Sequence, residues 1–237
     1  MLIPNNNLVA VAYKAGYCGT FMYSILALSP EVAQYETFNN ILVDSTGSVE
    51  SHGEQWFRPN LHFYEDSYEI SKETWPSYIT PAVSKALKDP KLVIFRCHPN
   101  VAYKLSFLKN FRVIYMAHAN SYVPERWAYE KAIKPKGDRY YTNALKKLFK
   151  TDKDIKLNNI IKRNLLIRNV NHDVVPFTDF INKFDNKVHE VKIEELLDIT
   201  QYIKYLDICN FLSITPIKED RFIEIIKNYN ERQWKRF

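Results

Sequence analysis

The chain has 237 residues, 46% of them hydrophobic and 14% aromatic, so it can bury a sizeable core in one large domain or two small ones. Its net charge of +6 comes from lysines mixed with acidic residues, without the dense basic stripe of a nucleic-acid-binding protein. The amino terminus lacks the pattern of a signal peptide, and the longest uncharged run, 15–30, is too short to span a bilayer. The cysteines at 18, 97 and 209 match no metal-binding spacing. These features favour a soluble, cytoplasmic protein with neither a membrane nor a nucleic-acid partner.

A strand, a glycine-containing loop and a helix are predicted at the start of the chain. The apolar run at 8–13 is rich in β-forming residues and predicts a buried strand. The loop at 15–20 holds two of the chain's 5 glycines, and the apolar spacing of 21–28 predicts a helix. The unpaired amides at the start of such a helix favour an anion, to which Lys14 can add a charge and Thr20 a hydroxyl. The alternative is a plain turn whose glycines serve only steric needs.

The loop is not a Walker A loop, because Gly19, Thr20 and Phe21 stand where that motif requires Gly-Lys-Ser/Thr. The segment 36–80 is polar and aromatic with little periodicity, which predicts an irregular insertion or lid. A helix over 81–88 is predicted to follow, with Pro81 near its first turn.

The rest of the chain alternates between predicted strands and helices. Strands are predicted at 92–95, 111–116 and 188–193, and helices at 101–109, 142–168, 200–212 and 219–232. This alternation predicts an α/β fold with a central parallel sheet flanked by helices on both faces. No strong domain boundary is present, so we expect a single domain over 1–237.

Polar clusters follow two of these strands, at the edge where ligands bind in parallel sheets. Arg96, Cys97 and His98 end one strand; the histidine can act as a general base, and the arginine can stabilise developing negative charge. A structural histidine that caps a loop is the alternative. The segment 118–126 follows another strand, and its side chains can either bind phosphate and ribose or cap a helix.

Together these segments resemble the sulfotransferases that use 3′-phosphoadenosine 5′-phosphosulfate. Lys14-Ala15-Gly16 and Gly19-Thr20 are both similar to parts of the family's Lys-x-Gly-(x)-Thr loop, so two registers are possible, of which we favour the one that uses Lys14. Arg96-Cys97-His98 is similar to the family's Lys-Thr-His strand end. The segment 188–197 and the sequence Asn210-Phe211-Leu212-Ser213-Ile214 resemble the family's carboxyl-terminal strand and its "Glu-Asp-Leu … Phe-Leu-Gly" helix.

The resemblance implies a P-loop NTPase-like sulfotransferase architecture and assigns roles to residues. His98 would be the general base, with Lys14 and Arg96 neutralising charge on the transferred group. In the 3′-phosphate motif, His118 stands at the family's arginine position and Arg126 near its serine position, with Ser121 between them. The implied donor-binding residues are Lys14, Ala15, Gly16, Tyr17, Cys18, Gly19, Thr20, Phe21, His118, Ser121 and Arg126.

The implied reaction is in-line transfer of a sulfuryl group to a hydroxyl or amine, without a metal. Backbone amides of 16–20 would hold the 5′-phosphate, and Trp56, Phe57 and Trp75 would shape the pocket of an unknown acceptor. Three alternatives stay open: a non-catalytic module that binds a nucleotide or a partner on the same fold, a small-molecule kinase, and, from charge alone, a nucleic-acid-binding protein. The kinase alternative would need a phosphate-loop lysine after the glycine and a carboxylate suited to Mg²⁺ at a strand end, and the sequence offers neither.

Overall fold

The computed structural model describes residues 7–13, 19–33, 69–79, 81, 84, 87–88, 90–117 and 175–234, with Thr20 and 230–234 described by backbone alone. All of these residues belong to one compact α/β unit. Its main elements are β1 (Leu8–Ala12), α1 (Gly19–Leu26), β2 (Val93–Cys97), α2 (Pro99–Lys104), β3 (Arg112–Ala117), α3 (Phe177–Phe184), β4 (Val188–Lys192), α4 (Ile193–Leu196), α5 (Tyr202–Leu212) and α6 (Glu219–Trp234). Short 3₁₀ turns occur at Trp75–Tyr78, Leu105–Phe107 and Asp185–Lys187.

Within the described residues, the strands form a parallel sheet in the order β2-β1-β3-β4. The first strand, β1, lies inside the sheet, and none of its residues is more than 4% exposed. From β1 the chain passes to β2 on one side and later to β3 on the other, so the strand order reverses between β1 and β3. A reversal of this kind opens a crevice at the carboxyl ends of the two strands.

One face of the sheet packs against α1 and α5. Side chains alternate between the faces along a strand, and Arg96, Arg112 and His189 all lie on this face. Arg96 contacts Tyr23 of α1, whereas Arg112 and His189 contact Phe211 of α5. Phe21 of α1 packs on Tyr229 of α6, with ring centroids 4.1 Å apart, so α6 covers α1 on this side.

The opposite face packs against α2 and α3 through an aromatic core. The ring of Tyr115 on β3 lies 5.1 Å from that of Phe180 on α3, and Phe180 in turn lies 5.5 Å from Tyr103 of α2. The alanines of β1 at positions 10 and 12 have no exposed surface and leave room for α2 against the central strand. Helices therefore cover both faces of the sheet, which buries the apolar side chains of all its strands.

The predicted α/β fold with a parallel sheet and helices on both faces is confirmed. All four strand predictions are correct to within one or two residues at each end. The helices predicted at 21–28, 101–109, 200–212 and 219–232 correspond to α1, α2 with its following 3₁₀ turn, α5 and α6. The helix predicted at 142–168 lies outside the described residues, as does the segment 36–68. The single-domain prediction for 1–237 stays a prediction.

Two helices were missing from the sequence prediction. The 8-residue helix α3 begins after Pro176, whose side chain makes no cap hydrogen bond. The 4-residue helix α4 follows β4 directly and begins at Ile193, the last residue of the predicted strand. Short helices without a polar capping residue carry little local signal, and tertiary packing decides them.

Candidate functional site

The carboxyl ends of β1, β2 and β3 meet at one edge of the sheet. Ala12 at the end of β1 is paired with Cys97 of β2 on one side and with Tyr115 of β3 on the other. The pairing continues one residue past β1, because the amide of Tyr13 donates to the carbonyl of Cys97 over 3.0 Å. The ends of these three strands are therefore close together, at the edge where parallel sheets bind ligands.

The turn from β1 into α1 is closed by a contact between Tyr13 and Gly19. A Cβ atom on Gly19 would overlap the aromatic ring of Tyr13. Gly19 is therefore needed for a steric reason. A steric role for the glycines was the alternative to anion binding in the sequence analysis. The same contact places the amino terminus of α1 beside the end of β1, where its amides and helix dipole favour an anion.

Phe21 was predicted to line the donor site, and its side chain is in the core. It is 1% exposed and packs on Tyr229 of α6. Phe21 can therefore contribute only backbone atoms to a ligand at the start of α1. Trp75 is likewise a core residue, 2% exposed and 6.5 Å from the ring of Phe95, and its part in an acceptor pocket stays a prediction.

Arg96 lies on the α1 side of β2, opposite Val11 of the central strand. Its guanidinium carbon is 5.6 Å from the ring centroid of Tyr23, a buried residue in the second turn of α1. Cation–π contact of this kind holds the guanidinium in place. This contact places a positive charge beside the second turn of α1, the helix whose amino terminus favours an anion.

His98 stands at the junction between β2 and α2. Its backbone is extended, with φ −75° and ψ 152°, and Pro99 begins the helix immediately after it. The carbonyl of His98 accepts hydrogen bonds from the amides of Val101 and Ala102, at 3.0 and 3.1 Å. Its side chain makes no capping hydrogen bond to the helix. The imidazole therefore does not cap α2, which was the structural alternative for this residue.

The His98 ring is half-buried, and its Nδ1 atom is inaccessible to solvent. Extending the β1–β2 register by one position places His98 beside Tyr13, at the start of the glycine loop. A half-buried imidazole at that position is suited to proton transfer near neutral pH. Arg96 and His98, both predicted from sequence, are thus brought to the edge that also holds the start of α1.

Eight other predicted site residues lie outside the described residues: Lys14, Ala15, Gly16, Tyr17, Cys18, His118, Ser121 and Arg126. The side chain of Thr20 is also not described. The choice between the two loop registers therefore stays a prediction. Within the described ranges, no group of three or more His, Cys, Asp or Glu side chains could hold a metal ion.

Two polar residues at this edge were missed by the sequence analysis. Asn100 lies in the first turn of α2, and Tyr115 lies near the end of β3; both bind the backbone of Val175. The only local sign of this pair of contacts in the sequence is a polar residue, Asn100, directly after His98 and Pro99. Its partner is 75 positions further along the chain, so no sequence pattern could reveal the contact.

No family model matches this chain, and no curated protein sequence matches it either. In the part of the chain that the structure describes, no helix combines the length and apolar character needed to cross a bilayer. The geometry of the carboxyl edge and the motifs in the sequence are therefore the basis for the functional argument.

Proposed function

We propose that this chain is a sulfotransferase that moves a sulfuryl group from 3′-phosphoadenosine 5′-phosphosulfate to a hydroxyl or amine. The observation that carries the proposal is the position of His98. It directly follows β2, whose last residue, Cys97, accepts a hydrogen bond from the amide of Tyr13 just past the end of the central strand. The end of β2 and the amino terminus of α1 both lie beside the end of β1, so a general base at His98 would stand on the same edge as a helix terminus that favours an anion.

The mechanism assigns one task to each described group. The amino terminus of α1 binds the phosphate end of the donor, because its unpaired amides and dipole favour negative charge. The imidazole of His98 removes the proton from the acceptor as the acceptor oxygen or nitrogen bonds to sulfur. The bond between sulfur and the phosphate oxygen breaks, and 3′,5′-adenosine bisphosphate leaves with its electron pair. Arg96, with Lys14 from the loop, offsets the negative charge on the transferred oxygens.

The carboxyl-terminal part of the unit gives separate support. Glu194, Glu195 and Leu196 follow β4 in α4, as the Glu-Asp-Leu sequence follows a strand in the resembled family. Ser213 stands at the glycine position of the family's Phe-Leu-Gly sequence. Its backbone is left-handed, with φ 56° and ψ 49°, a conformation that glycine adopts without strain. The backbone at Ser213 therefore has the conformation expected at a position where the resembled family has glycine.

The experiment compares two histidine variants in a transfer assay with sulfur-35-labelled donor and a panel of phenols, sugars and amines. His98→Asn should lower turnover by at least about 100-fold, the contribution of a general base. The matched control is His189→Asn, because His189 is also half-buried but stacks on Phe211 at a centroid distance of 5.2 Å on the α5 face. Equal turnover in His98→Asn and wild type would contradict the assignment. Donor binding without transfer to any acceptor would instead favour the non-catalytic module.

A further inference from the structure

The backbone of Val175 is held at both of its polar atoms by side chains from two different elements. Its amide donates to Oδ1 of Asn100 over 3.0 Å, and its carbonyl accepts from the hydroxyl of Tyr115 over 3.1 Å. We name this arrangement, formed by Asn100, Val175 and Tyr115, the Val175 bridge. Hydrogen bonds fix the direction as well as the distance between the groups they join.

The Val175 bridge joins parts of the sheet that are not adjacent. Asn100 belongs to the helix that follows β2, Tyr115 belongs to β3, and β1 lies between these two strands. Tyr115 is paired with Ala12, the last residue of β1. The bridge therefore links the two neighbours of the central strand at its carboxyl end, on the α2 face of the edge that holds His98.

The Tyr115 end of the bridge is firmly seated. Its ring packs against Phe177 at 5.4 Å and against Phe180 at 5.1 Å, both in α3. Burial, with a smaller contribution from the negative charge of Glu190, raises the pKa of Tyr115 to about 12, so the hydroxyl stays a donor at neutral pH. Val175 is therefore anchored to a rigid part of the core.

We propose that Asn100 and Tyr115 are positioning residues that hold His98 in place through the backbone of Val175. His98 is two residues before Asn100, and its carbonyl accepts hydrogen bonds from the same first turn of α2. A displacement of that turn displaces the imidazole with it. Positional errors of about 1 Å at a catalytic group can cost 100-fold in rate, so a bridge that fixes this turn affects turnover without touching the substrate.

The structural part of this proposal is tested by NMR of protein labelled at its 6 histidines, with the His98 ring signal identified from its loss in His98→Asn. Tyr115→Phe and Asn100→Ala should each shift or broaden the His98 signal. The matched control is Tyr202→Phe, which removes a hydroxyl that donates to the carbonyl of Ile217 over 2.5 Å between α5 and α6. A His98 signal that is unchanged in both Tyr115→Phe and Asn100→Ala overturns the proposal.

The catalytic part rests on the proposed function and has a separate readout. Tyr115→Phe should lower kcat about tenfold while the affinity for 3′,5′-adenosine bisphosphate stays within about twofold of wild type. Because Asn100 and Tyr115 act through one peptide group, the double variant Asn100→Ala, Tyr115→Phe should lose much less than the product of the two single losses. A kcat equal to that of Tyr202→Phe contradicts the positioning role. Absence of bisphosphate binding in wild type contradicts the proposed function alone, since the histidine signals still decide whether the bridge positions His98.

Discussion

Glu31 shows how a single carboxylate ties distant parts of the chain together. It lies just after α1 and accepts hydrogen bonds from the hydroxyl of Ser29 and, 184 positions away, from the amide and hydroxyl of Thr215. The distances are 2.5 Å to the Ser29 hydroxyl, 3.0 Å to the Thr215 amide and 2.5 Å to the Thr215 hydroxyl. These donors, the Ser29 hydroxyl first among them, lower the pKa of Glu31 from 4.5 to about 2. The charged form is therefore the one that the folded protein stabilises.

Replacing Glu31 by glutamine should destabilise the protein at neutral pH and reduce its sensitivity to acid. Because the folded pKa is lower than the unfolded value, the carboxylate contributes fully above about pH 4.5, and its contribution is lost as the pH falls towards 2. The difference in unfolding midpoint between wild type and Glu31→Gln should therefore shrink on acidification. Denaturant unfolding at a series of pH values measures it.

Glu224→Gln is the control for this prediction. Glu224 is exposed and pairs with Arg221 one turn earlier in the same helix, at 2.6 Å, so its removal should change stability little at any pH. A Glu31→Gln variant as stable as wild type at neutral pH, or one with a pH-independent loss, would contradict the role given to Glu31.

At the scale of elements, the end of α5 is held by three hydrogen bonds from different sources. The amide of Ser213 donates to Asn210 over 3.1 Å, the amide of Ile214 donates to Cys209 over 3.0 Å, and Nη1 of Arg112 donates to Phe211 over 3.1 Å. The first two bonds form a Schellman motif, with Ser213 in the left-handed position. The third comes from β3 and anchors the helix to the sheet.

Ser213→Gly should stabilise the protein by about 0.5 kcal/mol, because glycine adopts the left-handed backbone without the strain that a Cβ atom causes. Ser213→Ala keeps the Cβ atom and should give no gain, which makes it the matched control. Urea unfolding of the two variants and wild type measures the difference. A Ser213→Gly variant that is less stable than Ser213→Ala would contradict the claim that a Cβ atom is strained in the left-handed backbone at this position.

The elements differ in how well the sequence reveals them. Strands β1 and β2 are largely continuous apolar runs, such as 92–95, and burial on both faces is what produces that pattern, so they are predictable. Helix α3 is short and starts after Pro176, so it depends on the packing of Phe180 and Phe184 against residues of other elements. The order of the strands and their register depend on pairing between distant segments, and a single sequence does not reveal it.

The candidate site shows the same difference between features with a local sequence pattern and features that depend on distant segments. Arg96 and His98 are predictable because they directly follow a recognisable strand. The contact of Arg96 with Tyr23 and the bonds of Asn100 and Tyr115 to Val175 are long-range, and local patterns do not encode them. The sequence indicates that Gly19 belongs to a loop, but the need for a residue without a Cβ atom depends on the position of the Tyr13 ring.

At the scale of the whole molecule, the topology brings the chemistry to one edge. A central strand with neighbours on both sides, a reversal of strand order between β1 and β3, and a helix that starts beside the end of β1 are features of parallel sheets that bind anionic ligands at this edge. Arg96, at the end of β2, contacts α1 on one face of the sheet, and the Val175 bridge lies on the α2 face. His98 follows β2 at the same edge, where the proposed mechanism uses it to remove a proton.

The central claim is that this edge binds the nucleotide of a sulfate donor, and calorimetric titration of the wild-type protein with 3′,5′-adenosine bisphosphate tests it most directly. ATP is the control ligand, because it carries a 5′-triphosphate and lacks the 3′-phosphate. The account predicts a dissociation constant for the bisphosphate in the range of about 1 to 10 μM and binding of ATP at least about tenfold weaker. Absence of heat with the bisphosphate, or equal affinity for ATP, would contradict the claim while leaving the α/β fold intact.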